Sequence, residues 1–352
     1  MAHAIWLTEG LSSQRDLIRN IRLFAQTLQV DLTIFASHRQ PRHEILSEAD
    51  FSLTEPADDN ARLALMLSVT KKYGIQAIHA GRNTPWFETH RDTITASGAR
   101  LTTGVVSLSD YAVADDKARF AAEMASHGLP VVPSVQITSA AQLRDALTDS
   151  PFPGLPRCIK PVQGIYGTGF WQFDDKASPM AMFSHPERRI TTPEQYLSAF
   201  GSTGKCAPQV LMPCLPGPEY SVDILADRGE VLAAVARRKE GSLQYLEHEG
   251  PAFELACACA RVMNADGLVN VQTRHDHHGN PLLLEINMRP SGGIGYTALS
   301  GVNLPGLFAL YQLGLLSADE VRKYDRSEFC PAVVRPLTEA VSYPSSLNNA
   351  IH

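Results

Sequence analysis

The 352-residue sequence contains no apolar stretch long enough to span a bilayer, and its first residues, MAHAIWLTEG, lack a signal-peptide pattern. A membrane partner is therefore not expected, and a cytoplasmic location is. Positive charge is not in excess: the formal net charge is −6, which argues against a broad nucleic-acid surface. The six cysteines (158, 206, 214, 257, 259 and 330) show no CxxC spacing. Reduced, buried thiols are expected, and a structural zinc site is not. There is no GxGxxG fingerprint, no GK[ST] following a glycine-rich loop, no internal repeat and no low-complexity linker. What remains is ordinary for a globular chain of two or three domains, 44% hydrophobic and 19% charged.

The first 110 residues alternate between strand-like and helix-like runs. AIWLTEG, VDLTIFASH and IQAIHAG read as strands. SSQRDLIRNIRLFAQTLQ, ARLALMLSVTKKYG and WFETHRDTITASG read as helices. Strands separated by helical crossovers imply a parallel α/β sheet. Ligands of such sheets gather at the carboxyl ends of the strands, here residues 8–13, 37–42 and 79–86. Without a dinucleotide fingerprint, this domain reads as a platform for substrate.

A second unit begins near DYAVADDKARFAAEMASHGLPVVPS. Asp115 or Asp116 is a candidate N-cap, and Gly128 closes the helix. RCIKPVQGIYGTGFWQF then gives strand, glycine-rich loop and strand. Lys160 ends the first of these strands. Gly164, Gly167 and Gly169 let backbone amides approach a polyphosphate, although such a loop is also an ordinary tight turn. VLMPCLPGPEYSVDILADRGEVLAAVARRKEG reads as strands around the turn DRGE, and FELACACARVMNAD as an apolar helix. LPGLFALYQLGLL is a further helix, a candidate for a subunit contact as much as for the core. The tail from Ser317 is weakly patterned.

Residues 267–289, GLVNVQTRHDHHGNPLLLEINMR, carry the most chemistry. In LLLEINMR, alternation sends Leu282, Leu284, Ile286 and Met288 to one face and Glu285, Asn287 and Arg289 to the other. A two-residue turn at His278-Gly279 would set Gln272 opposite Glu285, and one at Gly279-Asn280 would shift the pair by two. A carboxylate, two amides and a guanidinium then share a patch, a donor set that suits magnesium and phosphate. An amphipathic hairpin with a solvated polar face is the plainer reading.

In their joint order these elements resemble the ATP-grasp superfamily, especially the branch of carbamoyl-phosphate synthetase and biotin carboxylase. The likeness runs over about residues 77–316, with NVQ and LEINMR its most specific part. It implies a mixed α/β and α+β fold: a Rossmann-like pre-ATP-grasp domain (1–110), then a two-subdomain ATP-grasp fold (111–205 and 206–345). It further implies an ADP-forming carboxylate-amine ligase acting through an acyl phosphate. Lys117 and Lys160 would bind phosphates beneath the glycine-rich loop. Met212, Pro213, Cys214 and Leu215 would meet adenine through their backbone, and Glu219 the ribose. Gln272, Glu285 and Asn287 would hold two magnesium ions, or manganese in their place, and Arg289 the transferring phosphate. The expected partners are a small carboxylate and an amine, with a homodimer as one arrangement. A kinase and a non-catalytic nucleotide-binding regulator are the alternatives. The chain departs from its relatives near Met212, where they often carry an acidic residue.

Other groups have two readings. Arg237 and Arg238 end a strand expected to face the nucleotide, so one of them is a candidate for a substrate carboxylate or the acyl phosphate; a solvated basic run is the alternative. Gln244, Glu247 and His248 follow them and are weaker candidates for the second substrate. Arg82 could read a carboxylate or phosphate, or be a surface arginine. His275, Asp276, His277 and His278 read as turn residues in preference to a metal cluster.

Overall fold

A computed structural model describes residues 3–11, 13–164, 167–202 and 207–343. Ile165 and Tyr166 of the glycine-rich loop, Cys206 and the expected boundary at 205–206 lie outside the described residues. The chain divides into two compact units. The first comprises residues 1–111, 220–271 and 286–352; the second comprises 112–219 and 272–285.

The first unit opens with β1 (His3–Leu7), β2 (Leu32–His38), β3 (Phe51–Thr54), β4 (Ala77–His79) and β5 (Arg100–Thr102). They form a wholly parallel sheet in the order β3-β2-β1-β4-β5. Helix Ser13–Thr27 buries Leu17, Ile18, Ile21, Phe24 and Ala25, the stripe that a 3.6-residue period places on one face. The run WFETHRDTITASG departs from the single helix expected. It forms two short helices, Thr84–Thr89 and Arg91–Thr95, separated at His90, whose φ of −106° breaks the helical path.

The second unit holds a sheet of β6 (Val135–Ile137), β7 (Arg157–Pro161), β8 (Trp171–Phe173), β9 (Ile190–Thr191) and β10 (Gln209–Pro213), in the order β6-β10-β7-β8-β9. The third sheet contains β11 (Glu219–Asp227), β12 (Glu230–Glu240), β13 (Leu243–Glu247), β14 (Gly267–His275), β15 (Pro281–Asn287) and β16 (Ala332–Val334). Its order is β15-β14-β11-β12-β13-β16. The β11–β12 turn is built as DRGE suggests, with Arg228 and Gly229 both at positive φ (46° and 85°).

The apolar helix Leu304–Gln312 is spent inside the first unit. Leu304, Leu307, Phe308, Ala309 and Leu310 all join its core, and they pack with the stripe of helix Ser13–Thr27. Gly306 is where this helix meets Phe24, and a Cβ there would collide with the Phe24 side chain.

Candidate active site

The second unit contains a cavity of about 560 Å³, and every residue that lines it belongs to that unit. Part of its lining is apolar: Pro156, Cys158, Phe170, Met212, Leu215 and Leu284 supply it from β7, β10 and their flanks. The rest includes charged and polar side chains, Lys117, Lys160, Gln272, Arg274 and Glu285 among them.

Lys117 is the first residue of helix Lys117–Ser126, whose N-cap is Asp116: its carboxylate accepts from the amides of Ala118 and Arg119. A cation gains nothing from the positive end of a helix dipole. Its ammonium instead reaches back over the loop, donating to the carbonyls of Gly164 (3.2 Å) and Val162 (3.4 Å). Lys160 comes from β7, between β10 and β8. The two ammonium groups converge on one carboxylate oxygen, Glu285 Oε2, at 3.6 Å and 3.5 Å. The three side chains are only 11%, 13% and 20% exposed. Burial lowers the Lys117 pKa, and Glu285 works against that shift. The cavity thus places Lys117, Lys160 and Arg274 against Glu219 and Glu285, a positive balance suited to an anion.

Gly164 and Gly167 line the cavity, as do Thr168 and Phe170; Gly169 is not among its lining residues. Gly169 serves the loop instead: its φ is 73°, and a Cβ would meet the Pro161 ring at 2.7 Å. Among the hinge residues, Pro213 has no amide hydrogen, and the Cys214 N–H donates to the Pro156 carbonyl at 2.7 Å. Glu219 lies 3.8 Å from Arg274. Arg274 was not among the expected site residues, although it sits two positions beyond Gln272 on β14 and period-two alternation points to it. The Cys158 thiol is held protonated, its pKa raised by a hydrogen bond to Cys214 and by burial.

The hairpin turn differs from both two-residue readings. Asp276 N donates to the Asn280 carbonyl and Gly279 N to the Asp276 carbonyl, leaving a three-residue loop with Gly279 at φ 83°. The Asp276 carboxylate accepts from the His278 and Asn280 amides, a local bond that fixes this longer turn. Alternation along β15 is also interrupted, since Leu283 and Ile286 are buried while Leu284 and Glu285 both line the cavity. Leu283 is held by backbone bonds with Pro130 and Val132. Gln272 and Glu285 nonetheless reach the same cavity.

Asn287 and Arg289 fall in the first unit, where Arg289 donates to Asn287 Oδ1 at 3.1 Å. Arg237 and Arg238 are split by strand alternation. Arg237 is 3% exposed and nearly saturated: Nε donates to Asp223, one terminal nitrogen to Ser221 and Ser291, the other to Gln244. Arg238 pairs with Glu247 and Glu240 and lies over the Tyr245 ring. His248 bonds Asp325. Ser291 also accepts from Gly293 N, so Arg237 ties down the loop that follows Arg289.

Residues 205–335 match the family model described as ATP-grasp in the biosynthetic pathway with Ter operon. The chain has the ATP-grasp fold. An L-amino acid ligase from Bacillus licheniformis is 13% identical over 90% of this chain and 76% of its own, with a TM-score of 0.61. An N5-carboxyaminoimidazole ribonucleotide synthetase solved as its ADP complex is 15% identical over 94% of this chain and 81% of its own, at a TM-score of 0.65. A biotin carboxylase from Campylobacter jejuni is 16% identical over 91% and 73%, at 0.60. No curated protein sequence matches the chain.

Proposed function

We propose that this ATP-grasp protein is an ADP-forming ligase that joins a carboxylate to an amine through an acyl phosphate. The observation that carries the reading is the convergence of Lys117 and Lys160 on Glu285 in a cavity whose lining is otherwise partly apolar. The similar L-amino acid ligase supports the reaction class.

In this reading the apolar part of the lining takes adenine. With Pro213 lacking a donor, the Cys214 amide occupied and Met212 opposite Cys158 in the β10–β7 ladder, Leu215 is left to donate to the base edge. Glu219 binds the ribose, with Arg274 beside it. Lys117, Lys160 and the backbone at Gly164 and Gly167 receive the phosphates. Gln272 and Glu285 offer oxygen donors in the same cavity that suit magnesium, or manganese in its place; the reading adds Asn287, two residues on along β15, as a further donor. The bound metal would neutralise phosphate charge. Arg289 holds the phosphate in transfer, and Arg237 acts behind it by positioning the Ser291–Gly293 loop, while Arg238, facing the other side of β12, is assigned no contact with substrate.

The chemistry then needs no protein nucleophile. A carboxylate oxygen of the substrate attacks the γ-phosphorus, ADP leaves, and the amine displaces phosphate from the acyl phosphate with loss of a proton. The chain contributes positioning and charge neutralisation. ADP release from Mg-ATP, measured across pools of carboxylates with and without amines, tests this. Turnover should require both, and Glu285→Gln should lower it by about two to three powers of ten. ADP release indifferent to the amine would favour a kinase, and full activity in the variant would remove Glu285 from the site.

A further inference from the structure

The carboxyl ends of the parallel strands carry a second charged cluster, wholly within the first unit, none of whose residues lines the nucleotide cavity. The sheet order β3-β2-β1-β4-β5 winds outward from β1 in one direction and from β4 in the other. The gap between the ends of β1 and β4 is therefore the topological switch point, where open α/β sheets take their ligands. The loops there touch: a Cβ on Gly81 would stand 2.6 Å from Gly10 Cα, so only glycine fits.

Glu9, in the loop after β1, is 4% exposed. Its carboxylate accepts from Arg39 Nε and lies 3.5 Å from an Arg82 terminal nitrogen. Its backbone amide donates to Glu55 at 2.8 Å, and Glu55 is in turn paired with the buried Arg62 at 2.9 Å. Asn83, at φ 62°, offers its side-chain oxygen to both Arg62 and Arg39 at 3.2 Å once the amide is turned to face them. The outer guanidiniums of Arg39 and Arg82 remain 39% and 43% exposed. Three guanidiniums thus stand against the carboxylates of Glu9 and Glu55, with Asp59 a further acidic neighbour of Arg39, and His38 adds no charge near neutrality because burial depresses its pKa.

A surface arginine pair needs no buried anchor. Burying Glu9 is costly unless its geometry serves something, and what it does is hold two forked donors on one carboxylate while both arginine side chains stay partly exposed. A narrow crevice of Thr8, Gly10, Ser13, His79, Gly81 and Arg289 adjoins these loops. His79 Nε2 is buried there with no partner among the described residues.

We propose that Arg39 and Arg82, aligned by Glu9, bind a second anionic group, a carboxylate or phosphate, on the carboxylate substrate. The substrate is then at least dianionic, with one end activated beside Arg289 and the other held at the switch point. Assigning the anion to that substrate rests on the ligase reading; the anion site itself does not.

Thermal-shift titrations of the full chain with inorganic phosphate and with succinate, at matched ionic strength in chloride, test the site. Wild type, Arg39→Ala, Arg82→Ala and Glu9→Gln are compared, with Mg-ADP as a separate control ligand. Saturable stabilisation by at least one anion is expected, weakened tenfold or more in both arginine variants. Mg-ADP stabilisation should stay unchanged in all of them. A response to phosphate alone marks a phosphorylated substrate, and one to succinate alone a dicarboxylate. Absence of any saturable anion effect, or equal anion affinity in Arg82→Ala and wild type, overturns the proposal. Loss of the Mg-ADP response in wild type would instead overturn the nucleotide reading, leaving the anion site judged by its own probes.

Discussion

Individual side chains here are set by what surrounds them. Glu285 is clamped by two partly buried ammonium groups; in the proposed reading a polyphosphate takes the lysines and frees the carboxylate for a metal. His79 and Asp266 show burial acting in opposite senses. His79, fully enclosed, has its pKa lowered to about 4, whereas burial and Asp227 raise Asp266 to about 6. Between pH 6.5 and about 4 the unfolded chain protonates His79 and the native one does not, so stability falls as pH falls. Asp266 binds its proton more tightly when folded, so between its ordinary range and about 6 stability falls as pH rises. Each effect is at most about 3 kcal/mol, and they largely cancel. Urea unfolding of His79→Gln at pH 4.5 and 7 should therefore show stability gained at the lower pH relative to wild type. Asp266→Asn should show the reverse. Three parallel pH profiles would contradict both assignments.

Elements lock together through close approaches that single residues permit. Gly306 lets helix Leu304–Gln312 lie against Phe24 of helix Ser13–Thr27. Gly306→Val should cost about 1–3 kcal/mol or more by overpacking, read as a lowered urea midpoint with an unchanged slope; an unchanged midpoint would mean the helices can part freely. Local signals were legible at this scale: the Asp116 N-cap, the apolar stripe from Leu17 to Phe24 and the DRGE turn all rest on neighbours in sequence. The SADE stretch at Ser317–Glu320 is a capping box that starts helix Ala318–Glu328 in a segment that read as weakly patterned. Other features depend on distant partners. The break in β15 alternation comes from Leu283 pairing with the 130–132 segment, and the burial of Arg237 from Asp223, Ser221, Ser291 and Gln244, which lie on separate segments. No window of sequence contains those contacts. The candidate residues Lys117, Lys160, Gln272 and Glu285 stand out in motif order, but the convergence of the two lysines on one Glu285 oxygen arises only when distant segments fold together.

At the scale of the whole chain, no helix among the described residues is long and apolar enough to cross a membrane, and the net charge is −6. The proposed ligase reaction activates a carboxylate by phosphorylation. That step has a direct signature, because the bridging oxygen of an acyl phosphate comes from the carboxylate and departs with phosphate. A carboxylate pool exchanged with oxygen-18 and turned over with Mg-ATP and amines tests it by mass spectrometry of the released phosphate. One labelled oxygen per phosphate is the expected result. ADP formed with unlabelled phosphate would show that the carboxylate is never phosphorylated, and the ligase mechanism would fall.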